Sequence, residues 1–369
     1  MVRLTPLWLA QPSRFAGLTG RQARIGLILV ALLITLCETA LFVPAPPAVT
    51  GTSRADDQAD VMLYETIVEG VRHGGNYYDV TAQALRAGDY PLKPFVTFRL
   101  PTLAEVQAAL PPAVVLTCLY LLAFAVFLAW AIRLGRALNR RPPVIVALAL
   151  LSGGMIAFVQ PDLVAFHEIW AGLFIALGLA LRRPGRWIEA VALGLVAMLI
   201  RETAALYVAV MCAAAWWEGE RREAIVWAAT VVVLAVVVAA HAHAVAAVVR
   251  PLDPHSPGWS GLLGPGFFVL TLSISTVLKL ASLWLAALLV ALALVGWAGW
   301  RDPLAARALA VFIVYGALLA LFGRPDTFYW GLMVAPTFLI GLAFAPDAVR
   351  DLIARAGHRR RITVTRIAS

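Results

Sequence analysis

The chain has 369 residues, of which 62% are hydrophobic and only 14% charged, and its net charge is +9. A soluble domain carries about 25% charged residues, so the composition excludes an ordinary soluble globular protein and makes a bilayer the main solvent. The positive charge sits largely as arginines in short loops between apolar runs, which is an orientation signal and not a nucleic-acid footprint. No nucleic acid is expected as a partner.

The first apolar run, residues 25–43, follows a cytoplasmic N-terminal segment over 1–24. It continues as a full span with no small-residue cleavage site, so it reads as a membrane helix and not as a cleaved signal peptide. Runs near 20 apolar residues are long enough for a hydrocarbon core of about 30 Å. They must cross as helices, because lipid offers open backbone groups no partner. Further spans are expected at 112–134, 143–159, 166–181, 187–200, 203–217, 224–246, 279–300, 304–322 and 329–346. The fold class is therefore an all-α polytopic membrane protein of about ten transmembrane helices, with one membrane domain over 25–346 and a basic cytoplasmic tail over 347–369. Cys37, Cys118 and Cys212 all fall inside apolar runs and read as small hydrophobes, not as a disulfide frame or metal site.

The largest piece between spans is 44–111, expected as a periplasmic loop. Pro44, Pro46 and Pro47 end the first helix. Asp60–Arg72 has Val61, Tyr64, Ile67, Val68 and Val71 at helical spacing, which predicts an amphipathic helix. Gly74-Gly75 breaks it, and Asn76–Ala87 repeats the pattern with Tyr77, Val80 and Ala84. After a stretch punctuated by prolines, Thr102 and Glu105 suggest a capping box for a third short helix. All three are too short to span and are expected along the membrane surface.

Orientation follows from the arginines. With the N-terminus inside, the N-terminal segment, the loops at 133–141, 182–186 and 221–222, Arg301, Arg307 and the tail hold 21 of the 30 basic residues. That asymmetry predicts both termini in the cytoplasm of a bacterial-type inner membrane. It requires 187–217 to be a broken hairpin with Arg201-Glu202-Thr203 at its tip. A single crossing there would put Arg301, Arg307 and the tail outside. Such a tip is tolerable at membrane depth only against protein or a wet cavity.

This topology gathers the remaining polar residues at the outer face: Glu38, then Asp56, Asp57 and Asp60, then Gln160, Asp162, His167 and Glu168. Arg201 and Glu202, His241 and His243, and Arg324 and Asp326 complete the set. Ionisable groups at membrane depth are costly, so a functional role is the default expectation. A carboxylate near an acceptor hydroxyl can act as general base, and guanidiniums can hold a phosphate in bidentate geometry. A carboxylate pair also offers oxygen ligands to a divalent cation, although nothing in the pattern fixes a metal requirement.

Together these residues resemble the GT-C superfamily of integral membrane glycosyltransferases. The features are Asp56-Asp57 in a large first outer loop, the surface helices running into Tyr77-Tyr78-Asp79, His167-Glu168 and Arg201-Glu202 at outer helix ends, and the late Arg324-Pro325-Asp326. The resemblance covers most of 25–346 as architecture and is loose as motif. It implies a polyprenyl-phosphate-sugar donor, a lipid or glycan acceptor, and contact with membrane lipids. An acidic residue of the first outer loop typically serves as base in that family, which implies Asp56 or Asp57 here. His167, Glu168, Arg201, Glu202 and Arg324 would then bind the donor phosphate or substrate. Some members carry a large C-terminal periplasmic domain. This chain shows none, so acceptor recognition is expected from elsewhere.

Each feature also has a plainer reading. Asp56-Asp57 could be loop solvation, Asp60 a helix cap, His167-Glu168 a cap of the fourth span, and Arg201-Glu202 a structural ion pair. Arg324 could snorkel to headgroups. His241 and His243 point to different helix faces, so at most one joins a site. Trp259, Tyr329 and Trp330 read as interfacial anchors, and Lys93 and Arg99 could meet acceptor or headgroups alike. A membrane transporter or lipid flippase is the main alternative function, but it would favour midplane polar sites and matched broken helices.

Overall fold

A computed structural model describes residues 5–44 and 54–357, with 54–59 described as helical backbone alone. The described chain is all helix apart from loops and isolated bridges. Four segments are long and apolar enough to cross a membrane. The first is α1 (Gly20–Glu38) with the 3-10 turn Thr39–Phe42; the others are α5 (Pro112–Ala137), α10 (Arg221–Val248) and α13 (Pro303–Phe322). Between them lie shorter apolar helices: α6 (Arg141–Gly154), α7 (His167–Leu181), α8 (Ile188–Ile200), α9 (Ala205–Trp217), α11 (Pro265–Ser275) and α12 (Leu283–Gly299). The three cysteines are free; Cys37 is buried, but Cys118 faces outward.

Two elements depart from the expected spans. The last, 329–346, is not a single helix. A 3-10 stretch over Pro325–Met333, the one-turn α14 (Ala335–Phe338) and α15 (Gly341–Ala356) share that length. Its irregular backbone is enclosed, since residues 330 to 341 are all buried. Protein supplies there what lipid would not. The second is α11, which falls within a stretch read as loop. Nine of its eleven residues are buried, so it shows no amphipathic period to read.

The tip at Arg201 reverses the chain. Arg201 is extended and the 3-10 turn Glu202–Ala204 follows. Arg201 Nε lies 2.6 Å from Glu168 at the start of α7, whereas Glu218, just past α9, lies 3.2 Å from Arg182 just past the other end of α7. The helices α8 and α9 therefore run in opposite directions. At that second end Glu223 accepts both Arg182 Nε and Nη2, at 3.1 and 2.8 Å. Arg307 from α13 reaches Glu218 at 2.6 Å. Arg182 and Arg307 were read as orientation charges; with buried Glu223 and the more exposed Glu218 they form a network that ties α7, α9, α10 and α13 together.

The N-terminal segment docks on α15. Asp347 accepts the backbone N–H groups of Leu7, Trp8 and Leu9 at 2.6, 2.7 and 2.9 Å, and Asp351 accepts Ser13 N and Oγ at 3.0 and 2.8 Å. The N-terminal segment and α15 thus meet at the same end of the bundle as the Arg182 network, which Arg133 also reaches through Arg182 O.

The first-loop helices are α2 (Arg54–Arg72), α3 (Tyr77–Ala87) and α4 (Thr102–Ala109). The first begins six residues before its expected start. Gly74 takes a positive φ of 89° at the break, and Asn76 caps α3 by accepting from Tyr78 N at 3.0 Å. The proposed Thr102/Glu105 box does not form, because Pro101 holds the N-cap position and has no side-chain cap to offer. These helices bury their apolar faces in protein: Ile67, Val68 and Tyr77 form one small core, and Ala82, Leu85, Leu92 and Phe98 join Val245 of α10 in another. They lid one end of the bundle.

Close helix contact depends on glycine where α12 meets α15. A Cβ on Gly296 would collide with the Gly341 carbonyl, and one on Gly341 with the Ala293 carbonyl. Small residues let helix backbones approach this way in membranes. Gly296→Ala is expected to destabilise the protein by about 1–3 kcal/mol through overpacking. A lower thermal unfolding midpoint in detergent checks this; an unchanged midpoint would mean the two helices can separate freely.

Candidate functional site

A cavity of about 450 Å³ lies under the first-loop helices. Six stretches of chain line it. The helix α2 supplies Asp60 and Tyr64, α3 supplies Tyr77, and the following extended segment supplies Tyr90 and Arg99. The α8–α9 tip adds Arg201 and Glu202; Trp259 comes from the loop after α10, and Arg324, Asp326, Tyr329 and Trp330 from the turn after α13.

Several polar bonds hold this roof in place. Arg86 of α3 grips Asp253 with two hydrogen bonds of 2.9 and 2.6 Å, and also donates to Val248 O. Together with the Arg250 backbone it holds the Asp253 carboxyl below the usual carboxylate range. Leu92 N donates to Pro254 O at 3.0 Å and Ser256 N to Lys93 O at 2.6 Å. Tyr77 Oη donates to Arg99 O at 2.7 Å, and Gln107 of α4 donates to Val164 O at 2.8 Å.

Of the expected site residues, Arg201, Glu202 and Arg324 line the cavity. Glu168 stands behind Arg201. Both are almost fully buried, at 1% and 3% exposure. Their 2.6 Å contact is an ion pair whose alignment falls short of a hydrogen bond. Glu168 also sits in the first turn of α7, where the helix dipole favours a carboxylate. Glu202 accepts Leu100 N at 3.2 Å and lies 3.3 Å from Arg201 Nη1. His167 lies behind the wall against Tyr64, with ring centroids 4.9 Å apart and neither nitrogen hydrogen-bonded. Neither His167 nor Glu168 caps α7, since Phe166 holds the N-cap without a side-chain bond. Asp56 and Asp57 fall in the first turn of α2, and their side chains lie outside the described residues.

Other outer-face candidates are not brought in. Gln160 and Asp162 are exposed and away from the cavity wall. His241 packs on Tyr78, whose Oη is 3.2 Å from its Nδ1, whereas His243 is exposed. Among the described residues no group of three or more His, Cys, Asp or Glu could hold a metal ion.

Two further lining residues carry chemistry: Asp60, read from the sequence as a helix cap, and Arg99, read as meeting acceptor or headgroups alike. Asp60 does not cap its helix; it sits inside α2 and accepts from Tyr90 Oη at 2.8 Å. Burial pushes its carboxyl above the usual range; Tyr90 and Arg99 oppose this, and Glu168 and Asp326 add to it. The signal was present, because Asp60 shares the i, i+4 stripe of Tyr64 on the apolar face. The other is Arg99. Its Nε donates to Tyr64 Oη at 3.3 Å, and among the described residues its terminal nitrogens make no hydrogen bond or ion pair. Arg324, by contrast, is engaged bidentately by Asp326 and also donates to Gly258 O at 3.1 Å. Trp259, Tyr329 and Trp330, read as interfacial anchors, form cavity wall, and the Trp330 ring lies 5.8 Å from the Arg201 guanidinium carbon.

The arrangement offers a carboxylate of raised pKa, a guanidinium with a free edge, and aromatic faces in one partly enclosed space. Comparison with family models, curated proteins and solved structures gives no match.

Removing one partner of a buried ion pair strands the other charge, at a cost of about 3–5 kcal/mol. Arg201→Ala is therefore expected to lower detergent unfolding stability by that order, and the Arg201→Met, Glu168→Leu double variant to recover most of it. Equal losses in single and double variants would show that Arg201 stabilises through something other than Glu168.

Proposed function

We propose that this chain is an inner-membrane glycosyltransferase of the GT-C type. It moves a sugar from a polyprenyl-phosphate-linked donor to a lipid or glycan acceptor. On this reading the shorter apolar helices complete about ten crossings, both termini are cytoplasmic, and the cavity opens at the periplasmic face. The observation that carries the reading is the joint placement of Asp60 and the free edge of Arg99 in one aromatic-walled cavity.

Asp60 takes the part the family resemblance assigns to a first-loop acid, one turn along α2 from Asp56 and Asp57. Its carboxylate accepts the proton of the acceptor hydroxyl as that oxygen attacks the anomeric carbon of the sugar. The bond from that carbon to the phosphate oxygen breaks, and the electron pair leaves on the lipid phosphate. Arg99 is the guanidinium placed to meet the developing charge, since Arg324 and Arg201 are already paired. Tyr90 orients the base by donating to Asp60 Oδ1.

A base must be deprotonated to act, so transfer rises with pH through the folded pKa of Asp60. Burial sets that point above the ordinary value of 3.8. Asp60→Asn is expected to cut transfer by about 100-fold or more and to abolish that rising limb. Arg99→Gln is expected to cost about 100-fold, with Arg99→Lys partly restoring activity. These are read by product formation from a defined polyprenyl-phosphate sugar in proteoliposomes, beside Asp56→Asn and Asp57→Asn. Wild-type rates for Asp60→Asn with loss in either neighbour would move the base back to Asp56 or Asp57. Lipid movement across the vesicle without any glycoside product would assign the cavity to a flippase.

A further inference from the structure

A second cavity, of about 500 Å³, lies at the opposite end of the bundle, beside the docked N-terminal segment. Arg133 and Arg136 from near the end of α5, Arg183 from the α7–α8 turn and Arg301 from the α12–α13 turn line it, against one carboxylate, Asp302. From the geometry we infer that this cavity is a binding site for a phosphate-bearing anion, distinct from the cavity under the first-loop helices.

The argument is one of charge balance. Three other arginines at this end are neutralised: Arg182 by Glu223, Arg307 by Glu218, and Arg350 by Asp347 and Asp351. The cavity arginines are not. Asp302 comes only within 3.9 Å of Arg133, and its Oδ1 is engaged in capping α13 through Leu304 N. Four guanidiniums therefore face a single carboxylate. Arg133 lies within electrostatic range of the like charges of Arg183 and Arg136.

Two of the guanidiniums are also anchored. Arg133 is fixed through Nε on Ala180 O at 2.8 Å and through Nη2 on Arg182 O. Arg301 is fixed through Nε on Ser13 O at 3.1 Å, and among the described residues its terminal nitrogens make no hydrogen bond. Among the described residues the side chains of Arg136 and Arg183 make no hydrogen bond or ion pair. The terminal nitrogens of Arg301 and the unbonded guanidiniums of Arg136 and Arg183 are donors of the kind that recognise phosphate oxygens bidentately, and Arg133, its Nε and Nη2 already donated, adds charge and one remaining donor nitrogen. Their mutual repulsion is relieved when an anion binds. A phosphodiester headgroup of an anionic lipid and a free phosphate or diphosphate share this chemistry.

The test uses the full chain purified in detergent and in nanodiscs. Its variants are Arg136→Gln, Arg183→Gln as a pair, and Arg21→Gln, Arg186→Gln as a pair. The second pair removes the same charge from exposed positions that do not line the cavity. One arm titrates inorganic phosphate and pyrophosphate by calorimetry in detergent. The other counts phosphatidylglycerol retained by native mass spectrometry, from nanodiscs of phosphatidylglycerol in phosphatidylcholine. Wild type and the Arg21/Arg186 variant are expected to bind alike in at least one arm, and the Arg136/Arg183 variant to bind at least tenfold more weakly there. Binding in the soluble arm identifies free phosphate; binding in the lipid arm alone identifies a headgroup. Equal binding by both paired variants, or no binding above phosphatidylcholine in either arm, would overturn the proposal. Because Arg136 and Arg183 hold no structural bond, their paired variant is expected to keep the wild-type unfolding midpoint.

Discussion

Arg201 occupies a site with 3% exposure in a bundle this apolar because Glu168 stands 2.6 Å away. An unpaired charge there would be costly enough to reject the conformation. The pair joins the break between α8 and α9 to the start of α7, and so fixes where the chain reverses. At the other end of α7 the Arg182, Glu218, Glu223 and Arg307 network closes the same helices. With both ends of α7 clamped, the 201–204 tip is held against the first-loop helices and becomes cavity wall. The position of Arg99, whose neighbouring Leu100 N donates to Glu202, depends on that tip.

The two ends of the bundle treat charge differently. Under the first-loop helices, acids and bases share one space with aromatic rings, and among the described residues Arg201 and Arg324 are paired while the terminal nitrogens of Arg99 are not. At the end where the N-terminal segment docks on α15, Arg182, Arg307 and Arg350 have carboxylates of their own, and four arginines gather around one acid. A mixed, partly enclosed end suits chemistry on a polar group carried by a lipid. An end with surplus guanidiniums suits holding an anion.

Much of the helix layout was legible, because apolar runs of span length have few alternatives. The Arg201-Glu202-Thr203 break could be placed from the charge asymmetry of the loops around it. Less legible were elements whose pattern is uniform. The helix α11 is buried on nearly every residue and shows no period, and 329–346 is apolar enough to read as a span although its backbone begins as 3-10 and is broken before α15. The cavity was legible in part. Glu168, Arg201, Glu202 and Arg324 were identified by type and depth, but which acid each arginine would meet is set by packing between distant segments. Asp60 was taken for a cap because α2 was expected to begin there; the helix starts earlier, and that turns the residue inward. Trp259, Tyr329 and Trp330 have the composition of interfacial anchors, and only tertiary contact makes them a wall.

Photo-crosslinking tests the central claim most directly. The purified chain would be irradiated with a polyprenyl-phosphate-sugar analogue carrying a diazirine on the sugar, and the adducts mapped by mass spectrometry. The account predicts labels on cavity-wall residues such as Tyr64, Trp259 and Tyr329, suppressed by excess unlabelled donor. Labels confined to outward faces such as that of α1 or α10, and unaffected by competitor, would contradict it.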